Sequence, residues 1–483
     1  TMAINQIASQ GGVYFEIRLD SQDTSRTYVG LVGDNGLNNK NTGSNAASYQ
    51  FPIKGLLRPS APDGSMGAYF ATSESVSMDL SSHNSNYSDG DVVGVAILSD
   101  GKTFFHKNGT YLDDSSGNVG NPSTGDNPIG TIDLTEGDWM PYVGYNSTFS
   151  INFGQDGTFA GQETSGGNSD ANGIGDFMFA VPTNCLALCT SNMVDPTVGP
   201  NSGTQATDHF NQVLYTGDGS GQSITGVGFQ PDWVWIKSRS HASDHVLTDS
   251  SRGVTKSLFS NNYNVESALS GGVTAFGTDG FTLGSEGTVN TATRTYVAWN
   301  WKGNGGTTTS DGNGSITSTV QVNQKAGFSI VTYTGTGASN ATIGHGLGAV
   351  PKQIWVKNRD EQYNWKVYHS QNTTAPETDY LVLDTADATA DSNTHWNDTA
   401  PTSTVFTIGS SNGLIKDTNK YIAYCFADVD GYSKFGGYIG NATAAGPFIY
   451  TGFRPAFLLL KNTNTSNYWR MWVDDGDGNI QKN

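Results

Sequence analysis

The sequence predicts an all-β protein built from several β-sandwich domains. The chain has 483 residues with 61 glycines, 11% aromatic residues and only 14% charged residues. This composition is typical of turn-rich β structure. Short apolar runs bounded by glycine and proline recur along the chain, as strands of sandwiches do. At roughly 150 residues per domain, a chain of this length contains about three domains.

The stretch FQPDWVWIK, residues 229–237, predicts a strand that is covered on both faces. Successive side chains of a strand point to opposite sides, so Trp233 and Trp235 lie on one face, and Val234 and Ile236 on the other. Because both faces are large and apolar, we expect a central strand of a sandwich.

The same pattern occurs three times and defines tandem repeats. A proline, a mostly apolar strand and a lysine six places after the proline recur at residues 231–237, 351–357 and 455–461. Each copy follows a Gly-x-x-Pro turn and a Tyr-x-Gly segment, which begin at Gly228, Gly348 and Gly452 and at Tyr215, Tyr333 and Tyr438. The prolines are 120 and 104 residues apart, a spacing that predicts separate domains in tandem and not a solenoid.

A second landmark, an aromatic strand, occurs in only two of the repeats. It reads YVAWNWK at 296–302 and YIAYCFA at 421–427, and no counterpart follows Pro455. We therefore expect the third repeat to be incomplete. The segments 195–208 and 302–315 are rich in Gly, Ser, Thr and Asn without apolar periodicity, which predicts flexible linkers.

Six segments of the N-terminal region follow one another in a familiar order. They are GGVYFEIRL (11–19), YVGLV (28–32), GDVVGVAI (90–97), FFHKNGTYL (104–112), WMPYVGY (139–145) and INFG (151–154). Together they resemble a SPRY domain, a family that implies a concanavalin-like β-sandwich used for binding. Within KNG, Asn108 and Gly109 predict a hairpin turn, because both tolerate positive φ.

Segments of the remaining chain form a second group. They include LALCTSNMVDPTV (186–198), LYTGDGSGQSITGVGFQPDWVWIKSRS (214–240), GFTLGSEG (280–287), YVAWNWKG (296–303), GFSIVTYTGTG (327–337), FTIGSSNG (406–413) and GYSKFGGYIGNATAAGPFIYTGFRPAFLLLK (431–461). They resemble repeat domains of tail-fibre-like and other virion proteins of bacteriophages. The resemblance implies a structural, host-contacting part of a phage particle, and it implies no catalytic residue.

Four domains are predicted from these observations. A SPRY-like β-sandwich spans 1–196 and is N-terminally trimmed, because the SPRY family has strand sequence before its Tyr-x-Glu segment. Two β-sandwich repeats span 205–305 and 316–432, and the incomplete third repeat spans 433–483.

Charge and hydropathy exclude two classes of partner. A net charge of -19 repels phosphate backbones, so we expect no nucleic acid partner. Apolar runs are far shorter than the roughly 20 residues that span a bilayer, so we expect no membrane insertion. The three cysteines, Cys185, Cys189 and Cys425, are predicted to be unpaired, mostly buried thiols.

Residues with metal-ligand or catalytic chemistry lack the spacing that such sites require. HASDH (241–245) places two histidines four apart outside any helix, and DDGDGN (474–479) lacks the terminal glutamate of a calcium loop. The Glu-x-Asp-x-Glu pattern of concanavalin-like glycanases is absent from the sequence. We therefore predict no enzymatic activity, no metal and no cofactor.

Long polar loops are the remaining candidates for recognition. They lie at 34–48, 81–90 and 113–127, and His83 and Tyr87 are the candidate receptor contacts because their rings can stack on a ligand. The alternative is that these loops are solvated connections.

The predicted function is that of a virion appendage, a tail fibre-like or capsid-attached fibre protein that attaches to the host surface by protein or glycan recognition. Its resemblance to phage fibres implies a homotrimer on the virion surface, in contact with other virion proteins and a host receptor or glycan. A secreted or cell-surface adhesin or lectin-like protein is the first alternative, and a polysaccharide hydrolase the second.

Overall fold

The computed structural model describes residues 11–21, 28–33, 54–58, 67–69, 78–79, 87–114, 116–134, 139–144, 148–192, 198–199, 202–443, 446–447, 449 and 451–473. The chain divides into two compact units, unit 1 (Thr1–Val194) and unit 2 (Asp195–Asn483). The regular secondary structure of the described residues is nearly all β, in several antiparallel sheets. The predicted all-β, multi-sandwich class is confirmed. None of their helices is long and apolar enough to cross a membrane.

Unit 1 is a sandwich of two sheets. Its strands are β1 (Gly12–Ser21), β2 (Tyr28–Gly33), β3 (Lys54–Arg58), β4 (Gly67–Tyr69), β5 (Met78–Asp79), β6 (Val92–Ile97), β7 (Lys102–Lys107), β8 (Thr110–Tyr111), β9 (Gly130–Thr131), β10 (Trp139–Gly144), β11 (Thr148–Asn152) and β12 (Cys185–Ala187). A 3-10 helix, Thr190–Asn192, follows them.

One sheet of unit 1 has the order β11-β1-β6-β7-β8 with β12 and β9 added to β1 and β7, and the other has the order β10-β2-β3-β4-β5. Alternate residues of β1 and β6 pack with residues of β2 and β10 in one apolar core. Asn108 and Gly109 have φ of 48° and 89° in the turn between β7 and β8, so the predicted hairpin is confirmed.

Unit 2 contains the three repeats. Its strands are β13 (Phe210–Thr216), β14 (Gln222–Thr225), β15 (Trp233–Ser238), β16 (Val246–Asp249), β17 (Lys256–Phe259), β18 (Ser267–Ala268), β19 (Val273–Gly277), β20 (Gly280–Leu283), β21 (Thr295–Trp301), β22 (Thr309–Asp311), β23 (Ser318–Asn323), β24 (Phe328–Thr334), β25 (Ala341–Gly344), β26 (Gln353–Asn358), β27 (Lys366–His369), β28 (Asp379–Val382), β29 (Ala390–Asp391), β30 (Val405–Ile408), β31 (Lys420–Phe426), β32 (Phe457–Leu460) and β33 (Arg470–Val473). Its helices are α1 (Gly287–Asn290), α2 (Asn393–Trp396) and α3 (Asn412–Ile415), with 3-10 turns at Ala206–Asp208 and Gln324–Ala326.

The first two repeats have equivalent topology. Their main sheets run β13-β21-β15-β16-β17-β18 and β22-β23-β24-β31-β26-β27-β28-β29, so β21 and β31 occupy the same middle position. Smaller sheets, β14-β20-β19 and β25-β30, cover one face of each main sheet. The strands β15 and β26, which contain the Pro-strand-Lys pattern, are central as predicted.

The residues that define the repeat have matching structural roles. Gly228, Gly348 and Gly452 all have positive φ, of 87°, 71° and 82°, which explains glycine at the turn before each proline. The repeated lysine of the first two repeats donates from Nζ to the next carbonyl and to the carbonyl four residues on. Lys237 bonds Ser238 and His241 in this way, at 2.8 and 3.4 Å.

Lys357 makes the corresponding bonds in repeat 2, to Asn358 and Glu361 at 2.7 and 3.5 Å. Its burial lowers the pKa of the amine to about 8. In the first two repeats, the lysine of the pattern therefore holds the loop that follows the strand by hydrogen bonds to its backbone carbonyls.

The opposite face of each main sheet packs against the other repeats. Trp233 of repeat 1 is fully buried, and its ring lies 4.4 to 6.1 Å from four rings of repeat 2, those of Phe328, Trp355, Tyr424 and Phe426. Phe457 of repeat 3 has the position of Trp233, two residues after the proline. It lies 5.7 to 6.3 Å from the four equivalent rings of repeat 1, those of Phe210, Trp235, Trp299 and Trp301.

Hydrogen bonds between neighbouring repeats recur in the same way. Trp365 Nε1 of repeat 2 donates to the Phe259 carbonyl of repeat 1, and Trp469 Nε1 of repeat 3 donates to the Val382 carbonyl of repeat 2, both at 2.8 Å. Both tryptophans lie fourteen places after the repeat proline. Because repeat 3 also packs on repeat 1, the three repeats form a head-to-tail ring around one aromatic core.

The segment 302–315, predicted to be a flexible linker, contains a fixed turn followed by the strand β22. The Asp232 carboxylate accepts backbone N–H bonds from Gly303, Gly305 and Gly306 at 2.7 to 2.8 Å. Successive N–H groups of a glycine-rich turn can converge on one anion, which composition alone does not reveal. Repeats 1 and 2 are therefore joined by a fixed turn, and all three repeats share one core, so they are not independent domains on a flexible chain.

Candidate recognition surfaces

The predicted receptor contact Tyr87 is not on the surface. It is 3% exposed and belongs to the core of unit 1, with its ring 5.4 Å from the Lys107 ammonium. Burial raises the pKa of its hydroxyl well above the ordinary value. Tyr87 therefore cannot stack on a ligand in this conformation. His83 and the loop 34–48 lie outside the described residues.

The histidines of HASDH are separated in their environments. His241 is exposed, whereas His245 lies beside the Trp235 ring, and burial lowers its pKa to about 3. No group of three or more His, Cys, Asp or Glu side chains in the described part of the chain could hold a metal ion. The residues of DDGDGN, 474–479, lie outside that part.

The three cysteines are unpaired, as predicted. Cys185 and Cys425 are fully buried, and burial raises the pKa of each thiol to about 12. Cys189 is only partly buried. A thiol with so high a pKa is protonated at neutral pH and is a poor nucleophile.

A buried polar network in unit 1 contains residue types that are common in active sites. Gly109 N–H donates to His106 Nδ1, which leaves the proton of the neutral ring on Nε2, where it bonds the Tyr14 oxygen at 2.7 Å. The Tyr14 hydroxyl in turn donates to Glu16 at 3.0 Å. Burial lowers the pKa of His106 to about 3 and raises that of Glu16.

This network has no access to a substrate. The three side chains are at most 1% exposed, and the Glu16 carboxylate is further bonded by Asn152 and by the backbone N–H groups of Met178 and Phe179. A methyl group at Gly94 would lie 1.9 Å from His106 Nε2, so the sheet closes directly over the ring. The network fixes the chain around residue 178 to the sheet and has a structural role.

A second buried network joins repeats 1 and 2. Arg252 donates to Asp249 at 2.5 Å and to Glu266 at 3.1 Å, and Asp249 also accepts the Tyr424 hydroxyl of repeat 2 at 2.7 Å. Glu266 is bonded in addition by Arg359 of repeat 2, at 2.8 and 3.0 Å. These groups satisfy the charges beside the aromatic core and fix the register between the repeats.

A polar cleft of about 400 Å³ opens on the surface of repeat 1. Its walls combine two carboxylates, a guanidinium and three hydroxyls, those of Asp244, Glu286, Arg294, Ser243, Thr288 and Thr291. Asp244 is held by Asn261 at 2.7 Å, and Glu286 by the backbone N–H and hydroxyl of Thr288. Donors and acceptors in this mixture can bind a ligand with many hydroxyl groups.

The equivalent place in repeat 2 has different chemistry. Each short helix α1 and α3 begins after an N-cap residue, Glu286 in repeat 1 and Ser411 in repeat 2. The residue that ends the helix is Thr291 in repeat 1 and Lys416 in repeat 2, where Lys416 forms an ion pair with Glu361. A separate polar cleft of about 340 Å³ in repeat 2 is lined by residues that include Asp311, Asn313 and Gln324.

The repeats of unit 2 correspond to a known family. The family model described as "Domain of unknown function (DUF7483)" matches residues 205–480, more than half of the chain. The chain belongs to this family. No curated protein matches the chain. The DUF7483 region begins where the sequence pattern places repeat 1 and includes both clefts.

The DUF7483 clefts have no signature in the sequence. Asp244 stands out only as part of HASDH, and Glu286, Arg294 and Thr291 are far from it in the chain. They meet because α1 and the turn after it pack beside the end of β15. A comparison of the two repeats contains a usable signal, because the residues that flank the equivalent helices differ: Glu286 corresponds to Ser411, and Thr291 to Lys416.

Proposed function

We propose that the protein is a virion appendage component that attaches to a host surface by binding, with the polar cleft of repeat 1 as a receptor site. The observation on which the proposal rests is this cleft, in which charged and hydroxyl side chains face solvent on three repeats that share one core. The resemblance of residues 186–483 to phage fibre repeats and of residues 11–155 to SPRY domains supports the same proposal.

The ligand class proposed for the cleft is a glycan of the host surface. Carboxylates, a guanidinium and hydroxyls offer complementary hydrogen bonds to sugar hydroxyls, and the strong charge-assisted ones give orientation. The protein acts on this ligand by binding alone. Release of reducing ends from a bound polysaccharide, lost when Glu286 or Asp244 is replaced by its amide, would contradict this part of the proposal.

Assembly into a homotrimer belongs to the same proposal and is supported by the resemblance to phage fibres. The aromatic core shared by the repeats is packed within the chain, whereas Tyr263 of repeat 1 is exposed. An interface between copies would therefore use the outer surface of the repeats and not this core. Sedimentation of the native protein at micromolar concentration tests the oligomeric state, and a monomer would contradict a trimer.

Binding of the fluorescently labelled full chain to an array of bacterial surface glycans tests the proposed receptor site. Arg294→Ala and Asp244→Asn each remove a charged hydrogen-bonding group, and we expect each to weaken binding roughly tenfold or more. Lys256→Ala, an exposed cation elsewhere in repeat 1, is the control. Equal binding by all four proteins would exclude the cleft as the receptor site.

A further inference from the structure

Repeat 2 has a hairpin that repeat 1 lacks among the described residues. β22 and β23 extend its main sheet beyond β24, whereas the main sheet of repeat 1 ends at the corresponding strand β13. One face of this hairpin and the turn after β25 form the walls of the polar cleft of about 340 Å³. A cleft of this size lies within the usual range of ligand pockets, about 300–1,000 Å³.

Two glycines let the turn after β25 approach the hairpin closely. A methyl group at Gly344 would lie 2.3 Å from Asp311 Oδ1, and one at Gly346 would lie 2.7 Å from a methyl group of Val322. Gly346 also has a positive φ of 71°, a conformation that disfavours other residues. Larger side chains at these two positions would therefore collide with the walls of the cleft.

Asp311 is a buried carboxylate in the wall of this cleft, and only 7% of the residue is exposed. Its Oδ1 accepts hydrogen bonds from the backbone N–H and the side-chain amide of Asn313, at 2.9 and 2.8 Å. No described residue donates a hydrogen bond to Oδ2. A buried carboxylate normally has a cation or several donors as partners, because removing its charge from water costs free energy.

The described residues supply no cation for Asp311. None of the side chains that line the cleft is basic. The His345 imidazole is held in its neutral form, because its Nδ1 accepts the Leu347 N–H at 3.2 Å and its Nε2 donates to the Thr402 carbonyl at 3.1 Å. Burial also lowers the pKa of His345. The Oδ2 atom of Asp311 is therefore left for a positively charged group of a ligand.

The rest of the lining indicates which kind of molecule carries that group. The Thr309 hydroxyl and the Gln324 amide provide hydrogen-bonding groups, and Val320 and Val322 provide an apolar surface. A pyranose ring presents both hydroxyl groups and an apolar face of C–H groups. A lysine side chain presents an ammonium group on a stem without hydroxyls, so it would leave the polar groups of the cleft unused.

We propose that this cleft binds an amino sugar whose amino group is free and protonated. The ammonium group donates a charge-assisted hydrogen bond to Asp311 Oδ2. The sugar hydroxyls bond Thr309 and Gln324, and the apolar face of the ring packs on Val320 and Val322. The net charge of -19 also favours the approach of a cationic ligand. This site lies in a different repeat from the receptor site proposed above and does not depend on it.

Titration calorimetry of the full chain with a linear tetramer of glucosamine tests the proposal. The N-acetylated tetramer is the matched ligand, because acetylation removes the positive charge and keeps the rings and hydroxyls. We expect it to bind at least roughly tenfold more weakly. Equal affinity for the two tetramers would overturn the pairing of an ammonium group with Asp311.

A capped tetralysine peptide, which carries the same number of ammonium groups, separates a sugar from the lysine side chains of a partner protein. We expect the peptide to bind at least roughly tenfold more weakly than the glucosamine tetramer, because it lacks hydroxyls for Thr309 and Gln324. Equal affinity for the peptide and the tetramer would overturn the assignment of a sugar.

Three variants of the full chain locate the binding. Asp311→Asn removes the charge, keeps the acceptor that Asn313 bonds, and should weaken binding of the glucosamine tetramer at least roughly tenfold. Thr309→Lys should have a similar effect. It places a cation on the same face of β22 as Asp311, at an exposed position, so no buried residue changes.

Thr319→Lys is the matched control for added charge. Thr319 is exposed on β23 and pairs with Ser310, so it lies on the opposite face of the hairpin from Asp311. We expect its affinity for the tetramer to stay within about twofold of the unmodified chain. Unchanged binding by both Asp311→Asn and Thr309→Lys would overturn the proposal, and so would an equal loss in Thr309→Lys and Thr319→Lys.

Discussion

Replacing Trp233 by alanine should destabilise repeats 1 and 2 together. The side chain is fully buried, and its ring contacts four rings of the other repeat as well as Trp235 and Trp301 of its own. Burying a tryptophan removes roughly 200 Å² from water, which at ~25 cal/mol per Å² is about 5 kcal/mol. Allowing for the surface that alanine keeps, we expect a loss of about 3–5 kcal/mol, the usual range for such truncations.

Urea unfolding followed by tryptophan fluorescence measures this loss, because only Trp139 of the ten tryptophans lies outside unit 2. Hydrogen exchange shows where the loss occurs. We expect β26 and β31 of repeat 2 to lose protection along with β15 and β21. Tyr263→Ala, at an exposed position of repeat 1, is the control and should change stability by less than about 0.5 kcal/mol. A loss below about 1 kcal/mol for Trp233→Ala, or one confined to repeat 1, would refute the common core.

Three further outcomes are expected. Arg252→Met should lower the free energy of unfolding by about 3–5 kcal/mol, because it leaves Asp249 as a buried, poorly paired carboxylate. The double variant with Asp249→Asn should recover part of this loss in the same urea titration. No recovery would contradict the pairing. Trp365→Phe should lower the free energy of unfolding by about 1–3 kcal/mol, because it leaves a carbonyl of repeat 1 without its hydrogen bond. It should also lower hydrogen-exchange protection in both repeats 1 and 2. Protection lost in repeat 2 alone would contradict a bond between the two repeats. The His106 imidazole has a pKa of about 3 in the folded protein against roughly 6.5 in the unfolded chain. The stability that its neutral form contributes to unit 1 is therefore fully present above pH ~6.5. This contribution is lost at up to ~1.4 kcal/mol per pH unit as the pH falls from 6.5 towards 3. Hydrogen exchange of β6 and β7 against pH should show a shallower slope in His106→Gln, and identical slopes would mean that His106 does not titrate in this way.

The repeat pattern was enough to predict the equivalent strands. Proline, alternating apolar residues and a lysine at a fixed place identified β15 and β26 as central strands, because burial on both faces leaves a plain signature in sequence. The sequence identifies the lysine as part of the pattern but does not explain it. Its hydrogen bond to the carbonyl four residues later depends on the path of the loop, which the sequence does not show.

What covers each face could not be predicted from the pattern. Trp233 and Val234 read alike as buried, yet Val234 packs within its own repeat and Trp233 packs on the next one. The composition of 303–306 predicts a flexible linker, because the carboxylate that its glycines bond is 71 residues or more away in the chain and leaves no local signal. The sequence around Tyr87 predicts a loop for a similar reason: the core that buries this side chain comes from distant strands.

The ring of repeats has a consequence for how a binding surface built on it can change. In a ring of identical subunits, every substitution appears in all of the subunits. In this chain the equivalent positions of the repeats are encoded separately, as Glu286 and Ser411 or Thr291 and Lys416 show. One repeat can therefore acquire a new binding specificity while the other repeats keep theirs. Each cleft also occurs once per chain, so any gain in avidity would depend on how many chains a surface displays and on their spacing, and not on the symmetry of the ring.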